Sequence, residues 1–178
     1  MSEPNFRFAI MATLVRQTGD VGKIQLQKLL YFLQTSLGVP LDYHFVMHHY
    51  GPYCVQIDDN LTILRAIEAA NVTADEEGYG YHITPGKRDI AEVPGWVQLV
   101  RQHEESIARL GEAFKDYPAW RLELAATVHY VHSLKPQLSL GELVEAVGQL
   151  KPKFTENDIR SAYQDLVSLR LMDTVATS

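Results

Sequence analysis

Apolar spacing predicts a mainly α protein carrying one small β-hairpin. Three features lead there: a leucine stripe at helical spacing between residues 23 and 37, two extended stretches around an acidic turn between 72 and 84, and two Ser/Thr-x-x-acid boxes late in the chain.

The elements follow in order. Phe6, Ile10, Leu14 and Val15 recur at helical spacing up to Thr18, and Gly19-Asp20 punctuates the end of this first helix. Leu26, Leu29, Leu30, Leu33 and Leu37 stand at i, i+3, i+4, i+7 and i+11, which predicts a second helix over 23–37, stopped by Gly38-Val39-Pro40. From Leu41 to Tyr50 the residues are aromatic, β-branched and His-rich, so a short extended segment closed by Gly51-Pro52 is expected. Ile57, Leu61, Leu64 and Ile67 predict a third helix over 53–70. After Asn71, two extended pieces flank the tip Asp75-Glu76-Glu77-Gly78 and end at Pro85-Gly86, which reads as a β-hairpin. Helix, helix, helix, hairpin is the order of a winged helix-turn-helix, so residues 1–86 are expected to form a unit like it.

Residues 85–95 combine Pro85, Gly86, Pro94 and Gly95 with charge and suit a linker. A connecting helix over 96–115 follows, its stripe of Trp96, Val100, His103, Ile107, Leu110 and Phe114 being either core or a dimer seam, and it ends before Pro118. This places a linker and connecting helix over 87–118. The remainder, 119–178, reads as a three-helix unit. One helix spans 119–133; Ser139-x-x-Glu142 opens a second, stopped at Lys151-Pro152; Thr155-x-x-Asp158 opens a third. A second winged-helix-like unit with almost no wing and an unrelated helical trio both fit that pattern.

Composition sets the outer limits. The 178 residues are 46% apolar and 21% charged, enough for a real core and too short for a large multidomain enzyme. No stretch has the roughly 20 apolar residues of a membrane span, and the N-terminus lacks the regions of a secretory signal. A cytoplasmic location without a membrane partner is therefore expected, and a single cysteine, Cys54, agrees with a reducing compartment.

No phosphate-cradling loop, nucleophile elbow, His-Glu-x-x-His string or dinucleotide glycine signature occurs, so no catalytic residue and no cofactor is expected. His44, His48, His49 and Cys54 tempt as zinc ligands. Neighbouring residues of an extended segment point to opposite faces, however, and Gly51-Pro52 intervenes before Cys54, so no metal site is expected. In Tyr50-Gly51-Pro52-Tyr53, glycine permits positive φ and proline fixes the next, so the string either launches a helix with tyrosines facing a groove or only pads a turn.

Charge argues against nucleic acid. The net charge is −6; residues 1–86 carry 5 basic and 9 acidic side chains, and residues 87–178 carry 11 and 13. The third helix offers Arg65 against Asp58, Asp59 and Glu68, and the wing tip is acidic. The alternative, a DNA-binding winged-helix regulator, would use Arg65 or Lys151, Lys153 and Arg160.

Two strings carry a resemblance. Lys23-Ile24-Gln25-Leu26-Gln27-Lys28-Leu29-Leu30-Tyr31-Phe32-Leu33 resembles the helix around the Lys-Leu-Gln-Lys-Leu-Leu-Tyr motif of the YwgA-like proteins and the related Panacea (SocA-like) antitoxin domains, and Tyr50-Gly51-Pro52-Tyr53 is similar to the Tyr-Gly-Pro turn that follows it there. The resemblance covers about residues 6–84; the chain departs from the pattern at Cys54, where Ser is usual, and at Ile24, where Leu is commoner. It implies a helical, winged-helix-like domain that acts as an antitoxin by direct contact with a toxin, or as a proteolytic adaptor. The resulting expectation is a non-enzymatic protein-binding module whose partner is another protein, a toxin or a regulated client. Its contact surface is expected at Tyr31, His44, His48, His49, Tyr50, Gly51, Pro52 and Tyr53, because aromatic rings give large contact area at low entropic cost.

Overall fold

Helices take most of the chain, and their apolar stripes decide where they pack. The computed structural model describes residues 4–75 and 80–175. In chain order it contains α1 (Pro4–Thr18), β1 (Val21–Gly22), α2 (Lys23–Thr35), β2 (Val46–His48), β3 (Gly51–Tyr53), α3 (Val55–Ala66), β4 (Ala70–Ala74), β5 (Tyr81–Pro85), α4 (Trp96–Arg101), α5 (Glu104–Phe114), α6 (Ala119–Leu134), α7 (Leu140–Leu150) and α8 (Glu156–Ser168). The fold is mainly helical with two small antiparallel sheets, one ordered β1-β5-β4 and the other a β2-β3 hairpin. Among the described residues no helix is long and apolar enough to cross a membrane.

The leucine stripe explains the centre. Leu26, Leu30, Phe32 and Leu33 of α2 are fully buried, and this helix packs against α5 and α6. Phe32 stacks on Phe114 of α5 with ring centroids 5.5 Å apart, and the small residues Ala125 and Ala126 let α6 approach closely. The stripe Trp96, Val100, Ile107, Leu110 and Phe114 is buried in the same hydrophobic cluster as the helices on either side, so it is core and not a dimer seam.

Local signals account for most boundaries. Ser139 Oγ accepts the Glu142 N–H while Glu142 accepts the Ser139 N–H at 2.8 Å, and Thr155 and Asp158 repeat the exchange, so both late helices begin at their capping boxes. These hydrogen bonds hold the Glu142 and Asp158 carboxyls below their ordinary range.

Four expectations need correction. The helix expected over 96–115 is two, because His103 leaves the helical region at φ −120°, ψ 2°; both halves lie on α1, and Phe6 meets the His103 ring at 5.5 Å. The third helix is shorter than 53–70: Tyr53 belongs to β3, Glu68 takes φ 61° and Ala70 starts β4. The extended segment expected over 41–50 is a strand only at Val46–His48. Tyr50-Gly51-Pro52-Tyr53 does not open a helix, because Gly51–Tyr53 pairs with β2; the helix starts at Val55. The strand β1 carried no sequence signal at two residues, yet pairing of Val21 with Ile83 buries both. Residues 76–79 of the expected wing tip lie outside the described residues.

Candidate functional site

The two strings that look familiar in sequence touch in space. Gln27 and Lys28 sit on the flank of α2 beside the leucine stripe, and both reach the main chain of the β2-β3 hairpin. The Gln27 amide accepts the Cys54 N–H and donates to the Cys54 C=O, each at 3.0 Å, so a side chain takes the place of a neighbouring strand just beyond β3. Lys28 Nζ donates to the Pro52 C=O at 2.7 Å. Lys23 pairs with Asp58 at 2.8 Å, and Asp58 also accepts the Tyr53 hydroxyl at 2.8 Å. Burial and that carboxylate push the Tyr53 hydroxyl up to about 12.

The hairpin rests on α6 from the other side. Gly51 has φ +85°, and a Cβ there would stand 3.1 Å from Thr127 Oγ1 and 3.3 Å from the Glu123 carbonyl, so glycine is needed for both conformation and approach. Glu123 is 2% exposed. One of its carboxylate oxygens accepts Lys151 Nζ at 2.8 Å and the other Lys153 Nζ at 2.9 Å, and Lys151 also donates to the His49 C=O. Lys28 is 1% exposed and Lys151 6%. Burial lowers Lys28 to about 8, the Glu123 carboxylate pulling it back up and the Lys151 charge adding to the fall. Three ammonium groups thus cluster around one carboxylate.

What stands on this support is aromatic. Tyr50 at the hairpin turn is 47% exposed and Trp120 on α6 is 49% exposed. Lys153 Nζ lies 5.7 Å from the Tyr50 ring and 4.9 Å from the Phe154 ring, and Phe154 lies 6.1 Å from Trp120. His49 meets Tyr50 edge-on at 4.8 Å, and His48 lies 5.3 Å from Tyr53. A cleft of about 250 Å³ opens on the α2 side of the hairpin, lined by Lys23, Gln27, Lys28, Tyr50 and Tyr53, and a groove of about 290 Å³ opens on the other side, between β2 and residues 150–153.

The structure therefore brings His48, His49, Tyr50, Gly51, Pro52 and Tyr53 together and leaves two expected residues out. Tyr31 is no contact residue: it is 2% exposed, its hydroxyl lies 2.7 Å from His129 Nδ1, and it faces α6. His44 is exposed in the coil before β2 and lines neither opening. Gly51 and Pro52 are buried and act as scaffold beneath Tyr50. Among the residues of the DNA alternative, Lys151 is buried against Glu123, Lys153 bonds the same carboxylate and Arg160 bonds Glu156 at 2.8 Å, so phosphate contact would compete with each pair; Arg65 is exposed on α3. The Cys54 thiol is buried 3.8 Å from Gln56 Oε1, away from the imidazoles of the turn, and no group of three or more potential metal ligands converges among the described residues.

Sequence reasoning missed Gln27, Lys28, Glu123 and Trp120 as parts of one site. A lone carboxylate inside Leu122-Glu123-Leu124-Ala125-Ala126 was the available signal, since an unpaired charge in an apolar run is too costly to bury.

A larger cavity of about 570 Å³ lies where α2, α6 and α8 end, lined by Ser36, His129, His132, Arg170 and Asp173. His129 meets Tyr31 through one ring nitrogen and Ser36 Oγ through the other at 3.1 Å, and burial with the nearby His132 lowers it to about 4, while His132 Nδ1 is buried with no hydrogen-bond partner among the described residues. Arg170 lies just past the C-terminal end of α8, where positive charge is favoured.

No family model matches the chain, and no curated protein matches it.

Proposed function

We propose that this protein is a non-enzymatic protein-binding module, antitoxin-like or adaptor-like, that grips its partner with the β2-β3 hairpin and the adjoining face of α6. The observation that carries this reading is the row of exposed Tyr50, Lys153 and Trp120 with half-buried Phe154 between them, beside a hairpin whose main chain is pinned by Gln27, Lys28 and Lys151. Large aromatic side chains on a rigid base suit a binding hot spot, since little entropy is lost when they are covered.

The resemblance to the YwgA-like and Panacea domains supports the same reading, because both of its strings meet at this hairpin. The element order α1, β1, α2, α3, β4, β5 with the sheet β1-β5-β4 is compatible with a winged helix in which residues 36–54 are inserted between the second and third helices. A DNA-binding use of that arrangement would rest mainly on Arg65, since the other three cations are engaged by carboxylates.

Affinity isolation of the tagged chain from its native cell, beside a Tyr50→Ala/Trp120→Ala double variant, tests the proposal. A stoichiometric protein partner that is lost in the variant is expected, with thermal stability changed by less than about 1 kcal/mol because both side chains are half exposed. A chain that retains duplex DNA at low salt, with retention falling steeply as salt rises, and no stoichiometric protein partner would favour the DNA reading instead.

A further inference from the structure

The main chain of β2 has an open side. Val46 pairs with Tyr53, Met47 with Pro52 and His48 with Gly51. Proline has no N–H to give, so Met47 and Pro52 form a non-hydrogen-bonded pair, and the Met47 N–H and C=O and the Pro52 C=O point away from the hairpin. On the β3 side the outward Pro52 C=O is taken by Lys28. On the β2 side the next outward carbonyl, that of His49, is taken by Lys151, while no described residue hydrogen-bonds the Met47 main chain. The groove of about 290 Å³ runs along this edge, and its far wall is Leu150, Pro152 and Lys153.

Charge narrows the occupant. Lys151 and Lys153, both in the groove wall, share the one carboxylate of Glu123, and no second carboxylate among the described residues pairs with them. A local excess of positive charge thus stands inside a molecule of net charge −6. Net charge alone points to a basic partner; this groove asks for an anion.

We propose that the free edge of β2 accepts an extended, acidic segment of the partner protein as a third strand, its main chain pairing with Met47 and a carboxylate lying beside Lys153. Strand addition of this kind draws affinity from main-chain hydrogen bonds and specificity from side-chain contacts. The proposal rests on the protein-binding reading above and specifies how that binding is made.

Amide NMR of the full chain, titrated with a blocked eight-residue peptide of alternating valine and glutamate, tests it. Saturation is expected to slow exchange of the Met47 amide by about tenfold or more. Replacing glutamate by lysine, or N-methylating alternate residues so that they cannot donate, is expected to weaken binding by about tenfold or more. In the protein, Lys153→Glu should reverse the preference between the two peptides, and Met47→Pro should weaken binding without unpairing the hairpin, whose ladder does not use that N–H. Should Met47→Pro fail to fold, the N-methylated peptide carries the same comparison. No binding at millimolar peptide, an unchanged Met47 amide at saturation, or equal affinity for the lysine peptide would each overturn strand addition. The isolation experiment with Tyr50→Ala/Trp120→Ala reads the partner independently, so a failed mode of binding is distinguished from a failed binding function.

Discussion

The two hairpins of this protein are built on different principles. The β4-β5 hairpin is a ladder: five register pairs join Ala70–Ala74 to Tyr81–Pro85, and β1 adds a third strand. The β2-β3 hairpin has three pairs, one of them with a proline, and among the described residues no third strand. Side chains from α2 and from the turn after α7 supply what the ladder lacks, through Gln27 at Cys54, Lys28 at Pro52 and Lys151 at His49. A short two-stranded hairpin is marginal by itself. Polar groups brought from elsewhere keep it in place while leaving one edge and the Tyr50 turn exposed, which is an arrangement suited to binding.

Removing Glu123 should break this difference most severely. Glu123→Ala leaves Lys151 and Lys28 buried without a counter-charge, and a loss of about 3–5 kcal/mol is expected in urea unfolding. The β2-β3 amides should lose exchange protection before those of β4-β5; simultaneous loss would show that the network does not single out its hairpin.

Each hairpin also depends on a glycine. At Gly86, a Cβ would stand 1.9 Å from the Glu68 carbonyl, backbone that cannot swing aside, whereas at Gly51 the contacts are 3.1 Å or longer and the strain lies in φ. Gly86→Ala should therefore cost about 3 kcal/mol or more and Gly51→Ala about 1–3 kcal/mol. Thermal unfolding of the two variants checks the order.

Gln27→Ala is expected to cost about 1–3 kcal/mol, because it leaves the buried Cys54 N–H unsatisfied. The same denaturant experiment reads it, and Asn71→Ala, which removes only an exposed bond to the carbonyl of Pro85 at the end of β5, should cost less than about 0.5 kcal/mol.

A pH dependence separates the two hairpins further. Lys28 titrates at about 8 in the folded chain against an ordinary 10.5, so between those values the unfolded chain binds more protons. Stability from this group is therefore absent below about pH 8 and grows as pH rises toward 10.5. Urea midpoints of the protein and of Lys28→Met, compared at about pH 7.5 and 9.5, should separate by the upward slope that only the lysine has; parallel behaviour would show that Lys28 is not held as a desolvated amine.

Much of the frame was legible. The leucine stripe located α2 to within two residues at its end, and Ser139-x-x-Glu142 and Thr155-x-x-Asp158 started α7 and α8 where their caps form. The site was legible only in part. Tyr50 and its neighbours stand out as an aromatic turn, but nothing local to Tyr31 reveals that it faces α6, and Lys151 reads as a surface cation because its partner Glu123 lies 28 residues before it.

By itself the sequence determined what water acts on locally: which residues must leave it at a period of 3.6, and where a helix can satisfy its first N–H groups. Tertiary structure alone decided which side chains reach which main chain, since Lys28 and Pro52 lie 24 residues apart and Lys151 and His49 lie 102 apart. A hydrogen bond across such separations leaves no periodic trace in either segment, so its partners emerge only once the helices have packed.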